Sequence, residues 1–121
     1  MKKILIIDDD QELAQELADA LSDEGYQTAR EHDGQRGLAR ICAEPWHVVV
    51  LDFKMPGLNG IDLLARCKER RMAPAVILIT GSLDMQARLE QAGLEDAVVR
   101  VLTKPFEFGE LAEAIRDIPG G

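Results

Sequence analysis

The sequence predicts an α/β fold: a parallel five-stranded sheet of order 2-1-3-4-5 with helices on both faces. Three observations predict it. Short apolar runs alternate with segments of helical period five times within 121 residues, and alternation at this spacing implies a parallel sheet covered on both sides. The inner runs Ile4-Leu5-Ile6-Ile7 and Val48-Val49-Val50-Leu51 are continuously aliphatic, as strands buried on both faces must be. Turn and helix-breaking residues separate the segments at short intervals, and right-handed crossovers then leave few topologies.

Each element has its own signal. Ile4–Ile7 is the first strand. Asp10 caps a helix in which Leu13, Leu17 and Leu21 recur every four residues beside Ala14 and Ala18, and Gly25 ends it. Tyr26–Arg30 is a less apolar strand nearer a sheet edge, followed by an Asp33-Gly34 turn. Gln35–Ala43 is a second helix with Leu38 and Ile41 inward, closed by Pro45. Val48–Leu51 is the strongest strand. Met55–Gly60 is a loop, and Ile61–Arg70 is a helix with Ile61, Leu64 and Ala65 on one face. Pro74 precedes the strand Ala75–Thr80. Asp84–Ala92 is the fourth helix, Val98–Thr103 the fifth strand, and Glu107–Asp117 the last helix, with Leu111, Ala114 and Ile115 inward. Residues 1–121 are expected to form one domain with Pro119-Gly120-Gly121 as a loose tail. The expected architecture is a flavodoxin-like (βα)5 three-layer sandwich. Such sheets carry their site outside the carboxyl ends of the strands, at the switch point between strands 1 and 3.

Composition excludes several classes. A net charge of −8 without a cluster of Lys and Arg argues against direct contact with nucleic acid. The longest apolar runs fall far short of the roughly 20 residues a membrane helix needs. The apolar stretch after Met1-Lys2-Lys3 is too short for a signal peptide, so a cytoplasmic location is expected. Cys42 and Cys67 lack metal-ligand spacing and are expected to be reduced thiols, buried or half-buried. His32 and His47 stand alone and are read as structural or exposed, and Trp46 as packing at the lower edge of the sheet. Met85, Leu89 and Val99 are either partner surface or core.

The strand ends carry the chemistry. Strand 1 runs into Asp8-Asp9-Asp10, strand 3 into Asp52, strand 4 ends in Thr80, and strand 5 leads into Lys104. In the expected fold these ends converge. Carboxylates so close repel one another unless a cation is present, and Mg2+ suits a few carboxylates with waters and a phosphoryl oxygen. Asp52 on a rigid strand end beside Mg2+ is a credible nucleophile toward phosphorus. Lys104 supplies a point charge and Thr80 a hydroxyl donor for phosphoryl oxygens. Each residue alone has a bland reading: a solvated helix N-terminus for Asp8–Asp10, a turn for Asp52, an ordinary strand residue for Thr80, a surface charge for Lys104. Their joint occurrence at successive strand ends fits a phosphoaspartate site.

With these residues the chain resembles the receiver domain of bacterial two-component response regulators. The resemblance runs from Lys3 to about Arg116. It rests on Ile4–Asp10, Val49–Gly57, Asn59-Gly60, Ile77–Gly81 and Thr103-Lys104-Pro105-Phe106. It implies that Asp52 accepts a phosphoryl group from a histidine kinase's phosphohistidine. It implies that Asp8 and Asp9 hold Mg2+ with Asp52 and the backbone carbonyl of Lys54, and that Thr80 and Lys104 contact the phosphoryl group. It further implies a cis Lys104–Pro105 peptide and, at Gly81, room beside the phosphate. The partners it implies are a sensor histidine kinase or phosphotransfer protein and an output domain or downstream protein. A homodimer through helix 4, strand 5 and helix 5 is a further expectation, and that face is the one the resemblance expects phosphorylation to shift.

Three departures stand out. Val101 occupies a position that is often Tyr or Phe in such domains. The Thr80–Lys104 interval of 24 residues is long, with the irregularity in Gly93–Arg100. Lys54 places a long cation at the cleft mouth. Val101 favours the alternative of a phosphorylation-independent interaction module, whereas the complete set Asp8, Asp9, Asp52, Thr80 and Lys104 argues against it. An Mg2+-dependent phosphotransferase or phosphatase would need a second acid near Asp52 and a cap over the substrate. A dinucleotide-binding fold would need a glycine-rich loop where Asp8-Asp9-Asp10 stands. The signalling domain is expected not to be an enzyme in the usual sense, and it is read either as a stand-alone receiver or as part of a longer regulator.

Overall fold

The computed structural model describes residues 2–119. Of the expected tail, Gly120 and Gly121 lie outside the described residues. Five strands and five helices alternate: β1 (Lys3–Ile7), α1 (Gln11–Asp23), β2 (Gln27–Glu31), α2 (Gly34–Ala43), β3 (Val48–Asp52), α3 (Gly60–Glu69), β4 (Ala75–Thr80), α4 (Met85–Gln91), β5 (Arg100–Thr103) and α5 (Phe108–Arg116). All strand pairs are parallel and the sheet order is β2-β1-β3-β4-β5. This is the flavodoxin-like arrangement that the alternating pattern implies.

The apolar runs serve two cores at once. Successive side chains of a strand point to opposite faces. Leu5, Ile7, Val49, Leu51, Val76 and Leu78 therefore pack with Leu38, Leu64 and Leu89 of α2, α3 and α4. Ile4, Ile6, Val48, Val50, Ile77 and Ile79 pack with Leu17, Leu21, Leu111 and Ile115 of α1 and α5. Every residue of β3 is buried.

The starts of α1, α2 and α3 are held by side chains. Asp10 Oδ1 accepts the Leu13 N–H, Asp33 Oδ1 the Arg36 N–H and Asn59 Oδ1 the Asp62 N–H, at 3.0, 2.7 and 2.9 Å. Asp33 is thus a helix cap, and α2 begins at Gly34 rather than after a separate turn. Gly34 has little choice of side chain, because a Cβ there would lie 2.1 Å from the Leu58 carbonyl oxygen. Gly25 follows α1 at φ +96°, a conformation that glycine adopts without steric cost.

The irregularity expected in Gly93–Arg100 has a form. α4 has only seven residues. Gly93 then turns the chain at φ +71°, and a 3₁₀ turn, Glu95–Ala97, precedes β5. β5 begins at Arg100, so Val98 and Val99 precede the strand instead of opening it. Met85 and Leu89 are core, whereas Val99 is 57% exposed. Cys67 is buried but Cys42 is exposed on α2, which corrects the expectation for Cys42: it follows the inward Ile41 and turns away from the sheet. Burial pushes the Cys67 thiol up to about 11. Among the described residues, no helix is long and apolar enough to cross a membrane.

Candidate functional site

Parallel register builds the site. Ile7 of β1 lies opposite Leu51 of β3, so the next residues, Asp8 and Asp52, emerge side by side from two buried strands. They are 2% and 4% exposed. Asp9 follows and is exposed. Carboxylate oxygens of Asp8, Asp9 and Asp52 lie within 4.8 Å of one another. Asp10 is not part of this cluster in function, since its side chain caps α1.

Asp8 is the least satisfied member. Its Oδ1 accepts the Asp10 N–H at 2.9 Å, while its Oδ2 is buried without a hydrogen-bond partner. Burial pushes its pKa up to about 6. The Asp10 N–H and Lys104 oppose this, and the charges of Asp52 and Asp9 reinforce it. Burial also raises the pKa of Asp52, against the pull of Lys104. Lys104 Nζ stands 3.2 Å from Asp52 Oδ1.

The other predicted residues are placed as follows. Thr80 ends β4, is 2% exposed and pairs with Thr103 of β5. The Lys104 backbone N–H donates to the Thr80 carbonyl at 2.8 Å, which joins the two strand ends. Thr80 Oγ1 accepts the Ser82 N–H at 3.0 Å, so its own O–H remains available to donate. The Lys104–Pro105 peptide is cis. Lys54 is exposed directly after β3. A Cβ added at Gly81 would meet nothing within 4 Å, so the space beside Thr80 is open. Val101 is half-buried against the core on the α2–α3–α4 face of the sheet.

The donor set fits a hard cation. Two buried carboxylates, one with an orphaned oxygen, and a third carboxylate at the surface supply the oxygen ligands that Mg2+ prefers, and the exposed side leaves room for the waters it retains. An unpaired buried carboxylate oxygen is costly without such a partner.

Two contacts escaped the sequence reading. His32, after β2, donates from Nδ1 to the Asp8 carbonyl at 3.1 Å. Phe53, the residue after Asp52, lies under the Arg88 guanidinium of α4 at 4.6 Å from the ring centroid. The only hint of either in the sequence is position, since His32 follows a strand end and Arg88 is the one cation of α4.

Comparison with known proteins agrees with this geometry. The family model described as the response regulator receiver domain matches residues 4–116. The response regulator ArlR of Staphylococcus aureus is 33% identical over 118 residues, covering 98% of this chain and 52% of that protein. The chain therefore spans about half the length of the curated relatives it matches. A Francisella response regulator receiver domain superposes with a TM-score of 0.89 at 30% identity, covering 98% of this chain and 96% of the other. The response regulator TrrA of Thermotoga maritima, solved in complex with Mg2+-BeF, superposes with a TM-score of 0.86 at 26% identity, covering 98% and 100%.

Proposed function

The chain belongs to the response regulator receiver domain family, and on that premise we propose that it is a Mg2+-dependent phosphoacceptor in which Asp52 takes the phosphoryl group of a histidine kinase's phosphohistidine. The observation that carries the reading is the site at the strand ends: Asp52 on a fully buried strand, its oxygen 3.2 Å from Lys104 Nζ, beside the orphaned Oδ2 of Asp8.

An Asp52 carboxylate oxygen attacks phosphorus. The new O–P bond forms as the N–P bond of the phosphohistidine breaks, and the departing imidazole takes up a proton. The product is an acyl phosphate. Lys104, already paired with Asp52, follows the charge to a phosphoryl oxygen. The Thr80 O–H donates to another. Positioning and charge neutralisation are most of what phosphoryl transfer requires. Asp8, Asp9, Asp52 and the Lys54 carbonyl would hold Mg2+, which when bound neutralises the crowded carboxylates and phosphoryl oxygens. The Mg2+-BeF complex of the T. maritima relative supports that assignment. Residues 1–121 act as one receiver unit on this reading. Its partners are a sensor kinase or phosphotransfer protein and an output domain or downstream protein, with helix α4, strand β5 and helix α5 as the responding and dimerising face. The unit works as a switch rather than an enzyme, in a cytoplasmic setting.

One observation favours a phosphorylation-independent interaction module: the aliphatic Val101 half-buried in β5. Intact mass after incubation with Mg2+ and acetyl phosphate separates the two. The phosphoacceptor reading expects one phosphoryl adduct on wild type, none on Asp52→Ala and none without Mg2+. An unmodified wild type under conditions where it is folded supports the module instead.

A further inference from the structure

We infer that the Phe53–Arg88 pair is the link through which the covalent state of Asp52 reaches α4. The inference rests on the phosphoacceptor reading and names how that site is read out.

Phe53 is placed to transmit. It follows Asp52 in the chain, and consecutive residues of an extended segment face opposite sides of the sheet. Asp52 faces the acidic cleft, while Phe53 packs against the core cluster that includes α4 residues Met85 and Leu89. Its backbone is held on both sides. The Phe53 N–H donates to the Ile79 carbonyl at 2.8 Å, and its carbonyl accepts the Gly60 N–H at 2.9 Å. The ring rests over Gly60, where a Cβ would come within 3.1 Å of Phe53 Cα and 3.4 Å of its ring. Phe53 is therefore held between the start of α3 and the Arg88 guanidinium. A shift at the end of β3 must move the ring.

α4 is placed to respond. It is the shortest helix, its first turn has no side-chain cap, and its buried residues are Met85 and Leu89 alone. Arg88 is its only cation. A guanidinium over a ring face is attracted by the ring's quadrupole. The contact ties α4 to the residue that follows Asp52, so a change at the end of β3 on phosphorylation should pass to α4 and hold it more firmly against the strand. A second tether runs beside it: Ser82 donates its N–H to Thr80 Oγ1 and its hydroxyl to the Asp84 carboxylate. When the Thr80 hydroxyl turns toward a phosphoryl group this polar tether loosens, and the aromatic link carries the coupling.

The test is amide hydrogen exchange on the full chain, with and without acetyl phosphate and Mg2+, on wild type, Arg88→Ala, Arg88→Lys and Phe53→Leu. Intact mass verifies the adduct in each sample, and α1 amides report the integrity of the fold. In wild type, phosphorylation should slow exchange across Met85–Gln91 several-fold. Arg88→Ala and Phe53→Leu should still take up the phosphoryl group but lose most of that slowing, and Arg88→Lys should keep part of it. An undiminished α4 response in Arg88→Ala, or no α4 response in phosphorylated wild type, overturns the inference while leaving the phosphoacceptor reading intact. Absence of any adduct on wild type overturns both.

Discussion

The two ends of the sheet treat charge in opposite ways. At the amino end, the Lys3 and Glu44 charges are paired. Lys3 Nζ pairs with Glu44 at 2.5 Å and stands 4.7 Å from the Trp46 ring centroid. The Trp46 indole N–H donates to the Arg40 carbonyl at 3.0 Å, and His47 Nδ1 accepts the Lys3 backbone N–H at 2.9 Å. The Lys3 hydrogen bond accordingly holds Glu44 below the usual carboxylate range. At the carboxyl end, three carboxylates share one close cation and Asp8 is pushed up to about 6. At one end Lys3 and Glu44 close their charges on each other. The other end leaves its charges open, and a fold tolerates such a cost where an outside ligand will relieve it.

The largest expected effect shows that the open end is not a loose end. Gly34→Ala drives a methyl against the Leu58 carbonyl, backbone that has no rotamer to escape into. We expect a loss of about 3 kcal/mol in urea unfolding, at the upper end for overpacking. The same substitution at Gly109, where nothing lies within 4 Å, is the control and should cost nothing measurable.

Asp8 tests the electrostatic side of the contrast. Its folded pKa lies above the ordinary 3.8, so between those values the folded state binds more protons than the unfolded one. The metal-free protein therefore loses stability as pH rises through that window and stays lower above it. The penalty is about 3 kcal/mol for a shift of this size. The stability of Asp8→Asn relative to wild type should grow by about that amount from pH 4 to pH 7, read from denaturant midpoints at each pH. A pH-independent difference would mean that Asp8 is not strained in the folded state.

Trp46→Ala tests the closed end. It removes half-buried aromatic surface and the stacking of Lys3 and Arg40, for an expected loss of about 2 kcal/mol. Phosphoryl uptake should be unchanged, because Trp46 precedes the opposite end of β3. The smallest effect is a gain. Arg71 ends α3 at φ +57°, where its N–H meets the Lys68 carbonyl and the Met72 N–H meets that of Cys67, a helix end that favours glycine. Arg71→Gly should stabilise by about 0.5 kcal/mol in the same unfolding assay.

The two ends also differed in legibility. The sheet order follows from continuous aliphatic runs such as Val48–Leu51, because only strands buried on both faces carry them. The acidic cleft is legible because parallel register converts strand-end positions into neighbours, so Asp8, Asp52, Thr80 and Lys104 need only be found after their strands. Contacts made across elements leave no such mark. Phe53 and Arg88 meet through the way α4 packs beside the end of β3, which helical period does not reveal. His32 reaches Asp8 through the β1–β2 register, which a weakly apolar β2 does not announce. The partnering of Lys3 with Glu44 likewise depends on where α2 ends beside the start of β1, not on spacing.

The claim that the carboxyl end is open for a cation is tested most directly by the melting temperature at pH 7.5 with and without Mg2+, for wild type and Asp8→Asn. The account predicts that Mg2+ raises the wild-type melting temperature by several degrees and leaves that of Asp8→Asn nearly unmoved. A wild type indifferent to Mg2+, or a variant that responds as wild type does, would contradict it.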